Sequence, residues 1–425
     1  MKTLRFILIL VMTVIFITGC VSFMENENNY GGVISPYRIW EEQMREEVWN
    51  EFVQEETSRQ VRRGQMQARR ITWGGYTMNF VYTVIGEPGE SGFPLYIALH
   101  GGGNTTAAFN DSQFAHMQVY YRDSVPYGIY VAVRSITNTR ADIHAAPESF
   151  RLYDMLIENF ILFRNADPNR VYLMGFSAGA EYAIAPRIAD RLAAVALSAG
   201  HHGWSSPINL MNLPFLGQVG ALDTAFNRHT ENAVFQLRLE ELQAQWPHGY
   251  KHQVFIHHGR GHQITDNSAA RELQRVYADN VAWMRGESDE TVMMNTNSVD
   301  FLNQFTRDPL PAVMVWELSM RAPMRSVDAF YWLRAPMEIN AGTIYAKYFK
   351  DTNTVEITTM DVNGTFQVLL NSLMLDFGKP VNLIVNGEAT VHSLTPCEDI
   401  IRETTSERGD PNFQFSAIIN VTVGD

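Results

Sequence analysis

Val171-Tyr172-Leu173-Met174-Gly175-Phe176-Ser177-Ala178-Gly179 is an apolar run that passes into Gly-x-Ser-x-Gly and then into a stretch with helical periodicity. A short apolar run of this kind suits a strand buried on both faces. The glycines on either side of Ser177 let the backbone turn sharply between strand and helix, which raises the serine hydroxyl above the carboxyl edge of a sheet. Five residues match by chance in many chains, so the strand–turn–helix setting carries the meaning.

Upstream, Leu95–Leu99 is a second buried-type strand and leads directly into His100-Gly101-Gly102-Gly103-Asn104. Three consecutive glycines leave backbone N–H groups unobstructed, and a carbonyl that becomes an oxyanion needs such donors fixed in advance. Gly101 and Gly102 are the expected donors on this side and Ala178, the residue after the serine, on the other. A phosphate loop is disfavoured because no Gly-Lys-Ser/Thr follows.

The two elements together predict an α/β-hydrolase: a mostly parallel sheet flanked by helices, with an acidic residue and then a histidine following the serine in chain order, each after a strand. Phe215–Gly220 precedes Asp223, and His252–His257 precedes His258-Gly259-Arg260-Gly261-His262. Ser177 is thus the expected nucleophile, His262 its base, and Asp223 the group that orients the imidazole. Gly259 and Gly261 free the loop of His262, whereas His257 and His258 end the strand itself. Asp111, Asp142 and Asp167 precede the serine, and Asp266 reads as the cap of a following helix.

The runs HGGGN, DPNRVYLMGFSAGA, ALDTAFNRH and GRGHQI together resemble secreted bacterial esterases of the poly(3-hydroxybutyrate) depolymerase and feruloyl or acetylxylan esterase type, over about residues 70–285. The resemblance implies ester cleavage, with Ser177, Asp223 and His262 in the family's triad positions and no metal or organic cofactor. Ala180 is a departure, since many relatives carry a glycine there. Asn104, His202 and Trp204 lie where loops leave the sheet and are further candidates for a substrate pocket. The pair His201-His202 suits pocket lining better than a metal site, because no ligand motif accompanies it. Two alternatives share these features: a prolyl-oligopeptidase-like peptidase, and a surface-binding protein that retains a hydrolase scaffold without turnover.

Alternating strands and helices from Arg70 onward include helices expected at Ala178–Arg191, Phe226–Trp246 and Ser268–Met284, and a charged helix over Ile39–Met66. The charges of that N-terminal helix are expected to face solvent. After Gly286 the helical rhythm stops, and runs such as AVMVWELS, DAFYWLRA, TIYAKYF and NTVEITTM predict a C-terminal all-β sandwich-like domain. The expected division is 38–286 for the catalytic body and 291–425 for the accessory domain. On that division a chain ending near Glu290 should still hydrolyse small esters. Of the aromatics Tyr331, Trp332, Tyr345 and Tyr348, most are expected in the sandwich core, although any left outside could stack on a polymer.

The first twenty residues, MKTLRFILILVMTVIFITGC, have two cations followed by an apolar run, as secretory leaders do. Ile17-Thr18-Gly19-Cys20 resembles the lipobox of bacterial lipoproteins. The resemblance implies a signal peptide over 1–19, lipid on Cys20, a tether over 20–37 and an extracytoplasmic protein held at the bacterial envelope, in the periplasm or at the cell surface. Only one other cysteine, Cys397, is present, so no intramolecular disulfide is expected once Cys20 is lipidated. The 425 residues carry a net charge of −13, which repels a nucleic-acid backbone. An ester, polymeric or small, and the membrane are the expected partners.

Overall fold

The computed structural model describes residues 35–202, 205–264 and 273–424. The leader, Cys20, Trp204 and Asp266 lie outside the described residues. Two helices open the chain, α1 (Pro36–Ser58) and α2 (Gln60–Ala68). Next come β1 (Arg70–Trp73), β2 (Tyr76–Ile85), β3 (Phe93–Leu99), α3 (Ala107–Tyr120) and β4 (Gly128–Val133). They are followed by α4 (Pro147–Arg164), β5 (Ala166–Phe176), β6 (Ala194–Ser198), β7 (Phe215–Gly220), α5 (Arg228–Gln245) and β8 (His252–His257). The larger body ends with β9 (Leu273–Tyr277), α6 (Asn280–Met284), β10 (Thr291–Asn295) and α7 (Ser298–Leu302).

These ten strands form one sheet in the order β1-β2-β4-β3-β5-β6-β7-β8-β9-β10. The centre, from β4 to β8, is parallel, and the strands at both edges are antiparallel. Strands β4, β6 and β7 are buried throughout and β3 in all but Phe93, as near-continuous apolar runs covered on both faces must be. Where a helix was expected over Ala178–Arg191, the chain instead makes three short 3₁₀ turns. Pro186 lies inside this stretch and lacks the N–H that an α-helix would need there. Part of the helix expected over Ser268–Met284 is strand β9, whose alternating burial shows period two rather than 3.6.

The remaining strands are β11 (Val313–Glu317), β12 (Ala329–Phe330), β13 (Leu333–Arg334), β14 (Thr343–Phe349), β15 (Thr354–Met360), β16 (Gly364–Leu370), β17 (Val381–Val385) and β18 (Glu388–His392). Helix α8 (Glu398–Arg408) then precedes β19 (Ala417–Val423). They make a five-stranded sheet, β11-β14-β15-β17-β18, and a four-stranded sheet, β12-β13-β16-β19. Asn386 and Gly387 both have positive φ, 50° and 89°, which closes the tight hairpin from β17 to β18. Helix α8, and β18 beyond that turn, are elements the strand pattern did not announce.

The division at residue 286–291 needs correction. Strand β10 pairs with β9 at the end of the large sheet, and α7 packs among its core residues through Val299, Phe301 and Leu302. Buried Gln218 of β7 donates to Thr296 O at 2.6 Å, and Tyr172 of β5 donates to Phe305 O at 2.8 Å. The larger body therefore extends to about residue 305. Beyond it, one continuous apolar cluster includes Leu95, Val171 and Phe215 together with Trp332, Phe366 and Ile419 of the smaller sheets.

A buried ion network joins the same two regions. Arg325 reaches Asp154 of α4 at 3.1 Å and Asp190 at 2.9 Å, while Arg408 of α8 meets Asp190 at 2.6 Å. Arg307 pairs with Asp410 at 2.8 Å. Burial alone would raise the pKa of Asp154, but Arg325 and Arg191 hold the carboxyl well below the usual carboxylate range. Helix α1 joins in. Glu41, expected to face water, is fully buried and accepts from Ser372 N at 3.0 Å and Ser416 Oγ at 2.8 Å. Its burial pushes its pKa up, and the partners from the C-terminal region offset part of that.

Removing Arg325 leaves Asp154 and Asp190 short of a buried partner. Arg325→Ala should destabilise the protein by about 3–5 kcal/mol in denaturant unfolding. A chain ending at Glu290 loses β10, Arg307, Arg325 and Arg408 together. It should show no cooperative melting transition and no small-ester turnover, contrary to the expectation from strand pattern alone.

Candidate active site

The chain runs from β3 out to β4 and returns past it to β5, so β3 and β5 are neighbours whose following loops leave the carboxyl edge side by side. Such a switch in strand order opens a crevice at the sheet edge. The His100-Gly101-Gly102-Gly103 loop follows β3 and Ser177 follows β5. Their approach is close enough that a Cβ on Gly101 would lie 3.2 Å from Ser177 Cβ.

Ser177 has φ of 57°, a left-handed backbone that a residue with a Cβ rarely adopts outside functional turns. The glycines around it are required by contact. A Cβ on Gly179 would sit 2.2 Å from Leu99 O, and one on Gly175 would sit 2.1 Å from Gly179 O. Ala180, the departure from the glycine common in similar esterases, faces Gly200, where an added Cβ would be only 1.9 Å from Ala180 O. The space that the Ala180 methyl needs is supplied from the opposite side.

Asp223 follows β7 and His262 follows β8, and these two strands are adjacent. A Cβ on Gly220 would be 2.1 Å from Gly261 O, so the two loops are in direct contact. His262 Nδ1 lies 2.7 Å from Asp223 Oδ2, and Nε2 lies 2.9 Å from Ser177 Oγ. The arrangement has Nδ1–H donating to the buried carboxylate and the serine hydroxyl donating to Nε2. Arg228 approaches the other carboxylate oxygen at 3.4 Å. Phe176 packs on the imidazole with ring centroids 5.3 Å apart.

The rejected acids have other partners: Asp111 pairs with Arg134, Asp142 with Arg140, and Asp167 accepts from Asn169 N–H at 2.8 Å at the start of β5. His257 is buried with Nε2 against Gln218 Oε1 at 2.9 Å, whereas His258 is exposed.

Gly103 N–H donates to Asn110 Oδ1 at 3.0 Å, which commits that amide and leaves the serine-facing side of the loop to Gly101 and Gly102. Two buried histidines hold the loop. His100 Nε2 accepts from Ser135 N at 3.2 Å, so its Nδ1–H faces Gly101 O at 2.6 Å. His144 Nε2 contacts His100 O at 3.1 Å and its Nδ1 meets Tyr153 Oη at 3.0 Å. Burial lowers His100 to about 4 and His144 well below its ordinary value, so both are neutral at pH 7. The sequence reading passed over His144, which lies in a loop with no motif around it.

Asn104 is exposed, and its backbone N–H is tied to Arg140 O at 2.6 Å. His202 was expected in the pocket, but it is buried, stacked on Phe235 and paired with Glu231. Beside Asp223, Leu222 and Phe226 are 64% and 70% exposed, and Phe226 also has positive φ, with the Arg228 guanidinium 4.9 Å from its ring centre. They form an exposed apolar pair on the segment that carries Asp223.

Glu181 lies just past the serine turn, mostly buried, with His201 Nδ1 at 4.0 Å. Burial pushes its carboxyl up to about 8, Arg228 opposing this and Asp142 adding to it. Between 4.5 and about 8 the folded protein therefore binds a proton that the unfolded chain has released, so stability falls as pH rises through that window. Glu181→Gln should remove this dependence. Its melting temperature should exceed that of wild type at pH 8 and approach it at pH 5.

No protein-family model and no curated protein matches the sequence. Among solved structures, the chain is similar to a thermostable esterase at 15% identity and TM-score 0.38, covering 56% of this chain and 62% of that one. It thus spans less than two thirds of that esterase. It is also similar to esterase PE8 (19% identity, TM-score 0.33, 50% of this chain and 99% of the other). A third is an acetyl xylan esterase from Aspergillus awamori (12% identity, TM-score 0.30, 44% and 89%). Independently of these, the antiparallel β2, the crossed order β4-β3-β5, and a serine turn after β5 with acid and histidine loops after β7 and β8 give the larger body the α/β-hydrolase fold.

Proposed function

We propose that the protein is a serine hydrolase that cleaves carboxylic esters through an acyl-enzyme. The observation that carries this reading is the continuous line Asp223–His262–Ser177, at 2.7 and 2.9 Å, built on a left-handed serine turn. His262 takes the proton as Ser177 Oγ attacks the ester carbonyl. The imidazolium so formed is stabilised by Asp223, and its proton passes to the departing alcohol. The oxyanion is held by N–H groups of Gly101, Gly102 and Ala178, fixed before reaction by the neutral His100–His144 pair. A water activated by His262 then releases the acid. The exposed apolar pair of Leu222 and Phe226 favours esters with a hydrophobic acyl or polymer portion over highly charged ones.

A fluorophosphonate should label wild type and leave Ser177→Ala unlabelled. His262→Ala should lose at least about 10³-fold in turnover of a small acyl ester, and His258→Ala should change little because that side chain is exposed. Labelling retained in Ser177→Ala, or aminoacyl amides cleaved faster than acetyl, feruloyl and hydroxybutyrate esters, would overturn the esterase reading.

The lipobox-like Ile17-Thr18-Gly19-Cys20 supports display on the outer side of a bacterial membrane through lipid on Cys20. Cys20→Ala should move the protein from the detergent phase to the aqueous phase with ester turnover intact. Continued detergent partitioning of that variant would refute lipidation.

A further inference from the structure

The Asp223 side chain is only 3% exposed, yet among the described residues just two side-chain N–H groups reach its carboxylate. His262 Nδ1 takes Oδ2, and Arg228 Nη1 takes Oδ1 at 3.4 Å. A buried carboxylate has about four acceptor sites and is costly to leave unpaired. With a partner on one oxygen alone it could still turn about its Cβ–Cγ bond. A donor on the second oxygen stops that turn. The placing of Arg228 is locally unfavourable in two ways. It opens α5, where a cation opposes the helix dipole, and Asn227 before it makes no side-chain capping hydrogen bond. Phe226 and Asn227 are both left-handed, with φ of 56° and 54°, and for a residue as bulky as Phe that backbone is strained. Neither feature helps the helix. Together they bring one guanidinium against one carboxylate, and the Phe226 ring lies over it, 4.9 Å away, leaving the Arg228 side chain 11% exposed.

We propose that Arg228 is a positioning residue for the reaction, holding the Asp223 carboxylate charged and in the rotation that presents Oδ2 to His262. This role rests on the serine-hydrolase reading above and adds to it a side chain that acts only through Asp223. Its charge matters as well as its hydrogen bond. Asp223 and His262 are close enough to titrate as a pair, and a cation beside the pair favours its deprotonated form. Removing that cation lets the pair keep its proton to higher pH. The other ionisable groups around it are Glu181 beyond the serine turn, His201 after β6, His229 next to Arg228, and His258 and Arg260 on the histidine's own loop. Glu231, on the first turn of α5, is taken up by His202. All of these remain when Arg228 alone is replaced.

The test compares the full chain with Arg228→Met, Arg228→Gln and Arg228→Lys, each brought to equal active-site concentration by fluorophosphonate titration. On a small acyl ester, Arg228→Met should lower kcat about 10- to 100-fold with KM changed less than about twofold. Its kcat/KM should fall away on the acid side about half a pH unit or more above the wild-type position. Arg228→Gln should move that acid limb in the same direction, which keeps the experiment decisive if the methionine variant does not fold. Arg228→Lys retains the cation without the planar fork, so it should keep the wild-type limb and recover most of the turnover. A merely structural role would lower the melting temperature and the titratable fraction and leave the limb in place, because the shape of a pH profile does not depend on how much enzyme is folded. An acid limb that stays at the wild-type position in Arg228→Met and Arg228→Gln overturns the role of Arg228, as does Arg228→Lys impaired to the same degree as Arg228→Met. A wild type that neither labels nor hydrolyses any ester overturns the hydrolase reading itself, and the role of Arg228 with it.

Discussion

The site depends on one steric constraint, the near-contact of backbone with backbone around Ser177. Gly179 presses against the carbonyl of Leu99, Gly175 against Gly179, and Gly220 against Gly261. Each contact excludes a Cβ; the contacts with Leu99 and Gly261 join segments that belong to different strands, and the Gly175 contact folds the serine turn back onto its own strand. The left-handed serine is held between them. Its strain is offset by the buried parallel strands on either side, where few alternative backbone paths remain.

The groups that brace the glycine loop are polar but uncharged. His100 and His144 are buried deeply enough to remain neutral, so they act as fixed hydrogen-bonding spacers for the glycine loop and add no competing cation beside Ser177. Asp223 is the buried carboxylate next to the imidazole, with Arg228 on its far side. Charge is thereby concentrated where an imidazolium would form, in keeping with preorganised electrostatic stabilisation.

The C-terminal sheets bear on the same region from behind. The short 3₁₀ turns that replace a helix after the serine end at Asp190 and Arg191, and these residues are held by Arg325, Arg408 and Asp410 from beyond the large sheet. Buried ion pairs of this kind add little net stability compared with apolar packing, but losing one partner is costly. Their effect is to fix geometry. The smaller sheets are thus part of the support for the serine turn.

Local chemistry was enough to read the serine turn, the glycine loop, the placing of Ser177, Asp223 and His262 in loops that meet, and most strands. Each of these depends on residues close together in the chain: glycines where φ must be positive or a Cβ would clash, and apolar runs where both faces are buried. The extent of the larger body, the burial of Glu41, the role of His144 and the pairing of His202 with Glu231 could not be read this way. They are set by partners in other elements, from 29 residues away for His202 and Glu231 to 331 for Glu41 and Ser372, or by loops without a motif. A charged side chain reads as solvated until the fold supplies a buried partner of opposite charge, and a strand such as β10 belongs to whichever sheet edge leaves its N–H and C=O groups unpaired. Sequence determined which groups could do chemistry here. Tertiary structure decided what holds them, because desolvation and long-range pairing exist only once the chain is folded.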